Sequence, residues 1–267
     1  MFALPRAEFP ESPPQLAAAL EEGLRAFVTG RDGMVSVRGE NLRDLTELKA
    51  DLSGAVLDEN YRPSLPRLEE TTPAVFSRSV LIKGNPLTVR RHQFEFSVEG
   101  KNVELHQTKS ADGKLWLVPT KADDGRITLS IDREELAAAI TTAAREQAGA
   151  QGITIEKVNL ELETVDAHCL RAKITVHARK LFLRALLHLR AAVAVSDELV
   201  ATVSDLSCKG EGAIASLACA AIDPHLRKIE GRAFPLSGLP LGGMKLRDVR
   251  LDLPGSRVVA TAEFGTA

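Results

Sequence analysis

From Ile153 to Val195 apolar and polar residues alternate with a period of two, the signature of strands with one buried face. Ile153 and Ile155 share one parity and Val158, Leu160 and Leu162 the other, so a bulge is predicted near Glu156 and Lys157. Ala172, Ile174, Val176 and Ala178 then have the parity of an antiparallel partner returning through Asp166, Ala167 and His168. Pairing Leu162 with Ala172, Leu160 with Ile174 and Val158 with Val176 sets Glu163 opposite Arg171 and Glu161 opposite Lys173. One register therefore satisfies both faces. From Leu181 to Val195 the apolar set moves to odd positions, which predicts either a bulge or a turn near Arg179 and Lys180. A helix over 180–192 competes with the strand, because Arg184 and His188 are four apart and several even positions are apolar too. The strand is the reading adopted.

Helical spacing precedes this stretch. Asp132 is placed to cap a helix, with Glu135 reaching back, and Leu136, Ile140, Ala143 and Ala144 form a narrow apolar stripe bounded by Gly149 and Gly152. Ser12, Pro13 and Gln15 open an earlier helix carrying Leu16, Leu20, Leu24 and Phe27, followed by a strand from Met34 to Val37. Leu16-Ala17-Ala18-Ala19-Leu20 lines up with Leu136-Ala137-Ala138-Ala139-Ile140, which suggests a helix-then-sheet unit used twice. Chance likeness between alanine-rich helices explains the match equally well. Between these helices come a polar, proline-punctuated loop from Asp58 to Pro73 and a meander: Val80 to Ile82, Leu87 to Val89, Phe94 to Val98, Val103 to Leu105, an Asp112-Gly113 turn, Leu115 to Val118 and Ile127 to Leu129. Beyond Leu199 to Leu206, Gly210-Glu211-Gly212 opens a third helix with Ile214, Leu217, Ala218, Ala221 and Ile222 on its apolar face. Asp223-Pro224 either kinks or restarts it. Leu246 to Leu253 and Val258 to Phe264 close the chain as a hairpin around Pro254-Gly255. The expected fold class is α+β, with a long, highly curved antiparallel β-sheet wrapped around amphipathic helices. One elongated domain over 1–267 is expected, which the repeat would divide into halves at 12–129 and 130–267.

Composition narrows the function more than the fold. A chain of 267 residues that is 44% hydrophobic can build a substantial core, and its net charge of −2 means that any attraction to nucleic acid or anionic lipid must be local. Aromatics at 4% disfavour a base-stacking surface and hence nucleic acid. No acidic residue falls between 167 and 196. Arg171 and Lys173 have glutamates across the hairpin, whereas Lys180, Arg184 and Arg190 have none in sight, and these three are the candidate contact for an anionic surface. A solvated outer face is the plainer alternative. Cys169, Cys208 and Cys219 make an odd count without CxxC spacing, so neither a disulfide framework nor a zinc site is indicated. His168 and Cys169 would point to opposite sides of a strand, and nothing in the spacing of Cys208, Asp223 and His225 brings them together. Lys209-Gly210-Glu211-Gly212 is a turn before it is a phosphate cradle. No catalytic, metal or cofactor site is therefore assigned, and no enzyme activity is read. MFALPRAEFPESPP lacks the pattern of an export signal and no stretch is long enough to span a bilayer, which gives a cytoplasmic expectation with peripheral membrane contact.

A helix leading into FPLSGLPLGGMKLRDVRLDLPGSRVVATAEFG, preceded by long alternating strands and helix-glycine-strand units, resembles the small bacterial members of the tubular lipid-binding superfamily, the LmeA-like group. The resemblance is one of pattern and runs from about residue 12 onward. It implies an elongated apolar cavity that takes up acyl chains, and it carries no catalytic residues. Leu160, Leu162, Ile174, Val176, Leu187 and Leu189 are the candidate lining, since the helices from Leu16 and Leu136 are too narrow to cover the whole face. The expected function is binding of a lipid or fatty-acyl ligand. The alternative is a non-enzymatic interaction or scaffold protein with a filled core.

Overall fold

The computed structural model describes residues 1–267 except 59, 62–69, 111–112, 150–152, 181–182, 239–240 and 267, and except the side chains of 147, 180, 213–214, 221 and 225. Expectations resting on most of the Asp58 to Pro73 loop, on Asp112, Gly152 and Leu181, and on the side chains of Lys180, Ile214, Ala221 and His225 lie outside the described residues.

In chain order the elements are β1 (Phe2–Leu4), α1 (Pro13–Leu24), β2 (Val28–Thr29), β3 (Val35–Gly39), β4 (Leu45–Asp51), β5 (Val56–Leu57), β6 (Thr72–Val89), β7 (His92–Lys109), β8 (Leu115–Lys121), β9 (Asp124–Asp132), α2 (Arg133–Gly149), β10 (Thr154–Asp166), β11 (Cys169–Lys180), β12 (Leu183–Val195), β13 (Val200–Glu211), α3 (Ala213–Ile229), β14 (Ala233–Pro235), β15 (Lys245–Asp252) and β16 (Arg257–Gly265). Strands dominate, and the described pairs are antiparallel apart from β4 and β5, which each run parallel to β6. Neither sheet closes into a barrel.

The chain divides into two compact units, the first made of Met1–Ser130, Ser237–Asp248 and Thr261–Ala267, the second of Ile131–Leu236 and Val249–Ala260. The larger sheet follows the strand order β15-β16-β9-β7-β6-β4-β3. Strands β6 and β7 join through a hairpin turn, with Val89 paired to His92 and Arg90 at φ 57°. Helix α1 starts where Ser12 and Pro13 predict, but Ser12 makes no side-chain cap. Gln15 reaches back instead, accepting the Glu11 amide at 2.9 Å. Its buried Leu16, Ala19, Leu20 and Leu24 face β1 and β3 of the same unit. A share for α1 in covering the long strands after residue 153 is the expectation from the sequence. In the second unit that cover comes from α2 and α3.

The second unit is an antiparallel sheet of order β10-β11-β12-β13-β14. Its first hairpin has the register set by the two-face argument: Leu162 pairs with Ala172, Leu160 with Ile174, Val158 with Val176, Glu161 with Lys173 and Glu163 with Arg171. The bulge falls between Ile155 and Lys157. Residues 183–195 are strand, and Lys180 pairs with Leu183, so the parity switch falls between two antiparallel strands. Asp132 caps α2 by accepting the Glu134 amide at 2.8 Å, and the Ser256 hydroxyl donates to its other oxygen. Helix α3 continues through Asp223 and Pro224 to Ile229.

Candidate functional site

Register places all six candidate lining residues on one face of the second sheet. The rows run Leu160, Ile174, Leu189 and Cys208, then Val158, Val176, Leu187 and Gly210, with Leu162 beside Ala172 in the next row. The six do not share one environment. Val176 and Leu187 are 7% and 6% exposed and close into a cluster with Ile155, Ala178, Ala215 and Cys219. Leu160, Leu162, Ile174 and Leu189 are only partly buried. Helix α2 lies on β10, and α3 on β13 and β12. Ala144 and Ala148 of α2 and Ala215 and Ala218 of α3 reach the cluster, so small side chains seal one end of the face and leave the other half-covered.

Gly210 and a disulfide set the seat of α3. A side-chain carbon on Gly210 would stand 2.2 Å from the Ala215 carbonyl carbon, so only glycine admits the helix backbone at that point. Cys208 and Cys219 are joined, with their α-carbons 5.3 Å apart. This bond corrects the expectation that the three cysteines form no disulfide framework: the helix folds back along the strand that precedes it and brings together two cysteines without motif spacing. Cys208 is thereby unavailable as a nucleophile, and Asp223 pairs with Arg227 at 2.7 Å. Gly210 thus serves helix packing, and Gly212, at φ 86°, supplies the turn into α3. Outward from the sheet, α3 leaves Leu217 71% exposed.

The other face of the sheet is charged. Arg171 lies 4.0 Å from both Glu163 and Asp205, and Arg179 lies 3.4 Å from Glu156. Of the three basic candidates, Arg184 and Arg190 share this face but sit six residues apart on β12, roughly 20 Å along the strand. The Lys180 side chain lies outside the described residues, and register does not gather Arg184 and Arg190 into one patch. His188 accompanies Arg190 on this face and is held by Thr175 at 3.3 Å and Glu211 at 3.1 Å.

His168 Nδ1 meets the Val249 carbonyl oxygen at 2.8 Å, away from any metal arrangement, and no metal-binding group occurs among the described residues. Burial and the neighbouring Asp166 push the Cys169 thiol up, away from a reactive thiolate. Among the described residues, three of the concavities have mixed polar and apolar walls. One of about 410 Å³ lies by Glu99, Asp124 and Arg126, one of about 910 Å³ by Glu8, Phe9 and Lys109, and one of about 580 Å³ on the charged face of the second sheet. None includes any of the six aliphatic residues. No helix is long and apolar enough to cross a membrane among the described residues. No family model matches the chain, and no curated protein or solved structure matches it.

Proposed function

We propose that the chain binds a lipid or another long apolar ligand along the half-covered aliphatic face of the second unit. The observation that supports this is the partial exposure of Leu160, Leu162, Ile174 and Leu189 beside a sealed cluster on the same face. An acyl chain laid there gains roughly 0.8 kcal/mol per buried methylene, so about six methylenes offset much of the cost of binding without a charged anchor. On this reading the sheet curves around its helices as in the tubular lipid-binding superfamily, and the ligand completes the cover. The protein is then a carrier or binding protein, with no chemistry of its own. The Cys208 to Cys219 bond suits an oxidising compartment, whereas the cytoplasmic location expected from the N-terminal residues would keep both thiols reduced. We therefore favour a site of action outside the cytoplasm.

The test is uptake of a fluorescent fatty acid by the parent and by Leu189→Trp and Leu160→Trp, with melting curves to show that each variant is folded. These half-buried positions accept a larger ring, which Val176, sealed in the cluster, would not. Uptake by the parent should fall at least severalfold in both variants. Uptake that persists in both, or is absent from the parent, leaves the interaction-protein reading in its place.

A further inference from the structure

The charged face carries cations that the register sets against one another. Lys173 stands directly opposite Arg190, and Arg179 opposite Arg184. Like charges in direct opposition weaken a sheet. Elsewhere on the face nearby carboxylates relieve them: Glu156 serves Arg179, and Glu163 with Asp205 serves Arg171. Lys173 and Arg190 form no ion pair among the described residues, although Glu161 lies on the far side of Lys173 in the same row. Both line the concavity of about 580 Å³, together with Arg171, Glu163, Asp205 and Ser207. The register shift between Arg190 and Ala192, with Asp205 at φ 54°, marks a bulge in β13 at this wall.

We propose that this concavity binds a singly charged phosphodiester, held between Lys173 and Arg190 with the Ser207 hydroxyl, directly across from Arg190, as a further donor. The guanidinium fork takes two oxygens and the ammonium acts as a point charge. Charge balance selects the diester. Three cations and two carboxylates line the concavity and leave one positive charge in excess, which matches the single charge of a diester. A phosphomonoester brings about −1.5 to −2, and its second charge would face Glu163 and Asp205. Two sources present such a group, the headgroup of a phospholipid and a soluble glycerophosphodiester. Nucleic acid is a third phosphodiester, disfavoured because an aromatic content of 4% offers little to stack on. The site does not rest on the apolar-ligand reading, since it occupies the opposite face of the sheet.

The full chain is titrated with glycerophosphoglycerol, with glycerol 3-phosphate, with a single-stranded oligonucleotide, and with vesicles of phosphatidylglycerol in phosphatidylcholine. The protein is used as the parent, as Lys173→Gln with Arg190→Gln, as Lys173→Arg, and as Lys245→Gln, a control at an exposed lysine on β15. Expected is saturable binding of the soluble diester or of the vesicles, about tenfold or more weaker in the double variant, retained in Lys173→Arg and Lys245→Gln, and weaker for the monoester. Binding of the soluble diester identifies a free metabolite as sufficient, and binding of vesicles alone identifies the lipid headgroup. The proposal is overturned by equal binding in a double variant whose melting curve is unchanged, by tighter binding of the oligonucleotide or the monoester, or by no binding from any source.

Discussion

Reducing the Cys208 to Cys219 bond should lower the melting temperature of the second unit by about 10 °C. The cross-link spans 11 residues, and loop closure of that length removes about 9 cal/mol/K from the unfolded chain, or about 3 kcal/mol at 25 °C. Among the described residues, Ala215 and Ala218 add roughly 0.8 kcal/mol for each buried methyl to the hold on the N-terminal half of α3. For a unit of roughly 120 residues each kcal/mol moves the midpoint by roughly 3 to 5 °C, which gives the expected shift. The assay is calorimetry with and without a phosphine reductant, beside Cys208→Ser with Cys219→Ser, so that reduction and substitution check one another. Thiol titration in denaturant fixes the starting state: one reactive thiol, Cys169, before reduction. A dye that binds apolar surface should brighten on reduction, since α3 seals Val176 and Leu187. Three free thiols in the purified protein, or a reduced midpoint within about 2 °C of the oxidised one, would falsify the claim that the bond fastens α3 to the sheet.

Two further outcomes follow from individual contacts. Gly210→Ala should destabilise the second unit by about 1 to 3 kcal/mol and speed hydrogen exchange in α3, because the added carbon collides with the backbone at Ala215; unchanged exchange would show that the helix moves aside freely. At Asp132, hydrogen bonds from the Glu134 amide and the Ser256 hydroxyl favour the carboxylate and hold its pKa below the ordinary value. Its contribution to stability is therefore present above that ordinary value and lost as pH falls through the depressed one. Asp132→Asn keeps a capping side chain but cannot titrate, so stability from urea unfolding should fall less steeply below about pH 4 than in the parent; equal slopes refute the assignment.

The hairpin of β10 and β11 was legible because two independent patterns constrain one register. Sliding by one residue would bury Glu161 and Glu163 and expose Leu160 and Leu162, and sliding by two would keep the faces but part Glu163 from Arg171. No such double constraint acts on β12. Its apolar residues fall on both parities because Leu186, Ala192 and Ala194 occupy the charged face, which is why a helix over the same residues competed. Like-charge opposition was hidden for a related reason: Lys173 looks neutralised by Glu161 on one side, and its second neighbour, Arg190, appears only once β12 is known to pair with β11 at that register.

The disulfide is the instructive omission, because a signal for it was present in a form that cysteine spacing does not capture. Gly210 and Gly212 let the chain reverse from strand to helix within two residues, so that α3 retraces β13. Cys208 and Gly210 are two apart on a strand and therefore point to one side, about 6.6 Å from each other along the chain axis. Ala215 and Cys219 are four apart on a helix and share one side too, about 6 Å from each other. Once Gly210 lies under Ala215, the two rises nearly coincide and Cys208 must lie under Cys219. The pairing thus follows from matching one strand step of two residues to one helix step of four. It is legible only after the glycine is read as the point where helix backbone touches strand rather than as a simple turn.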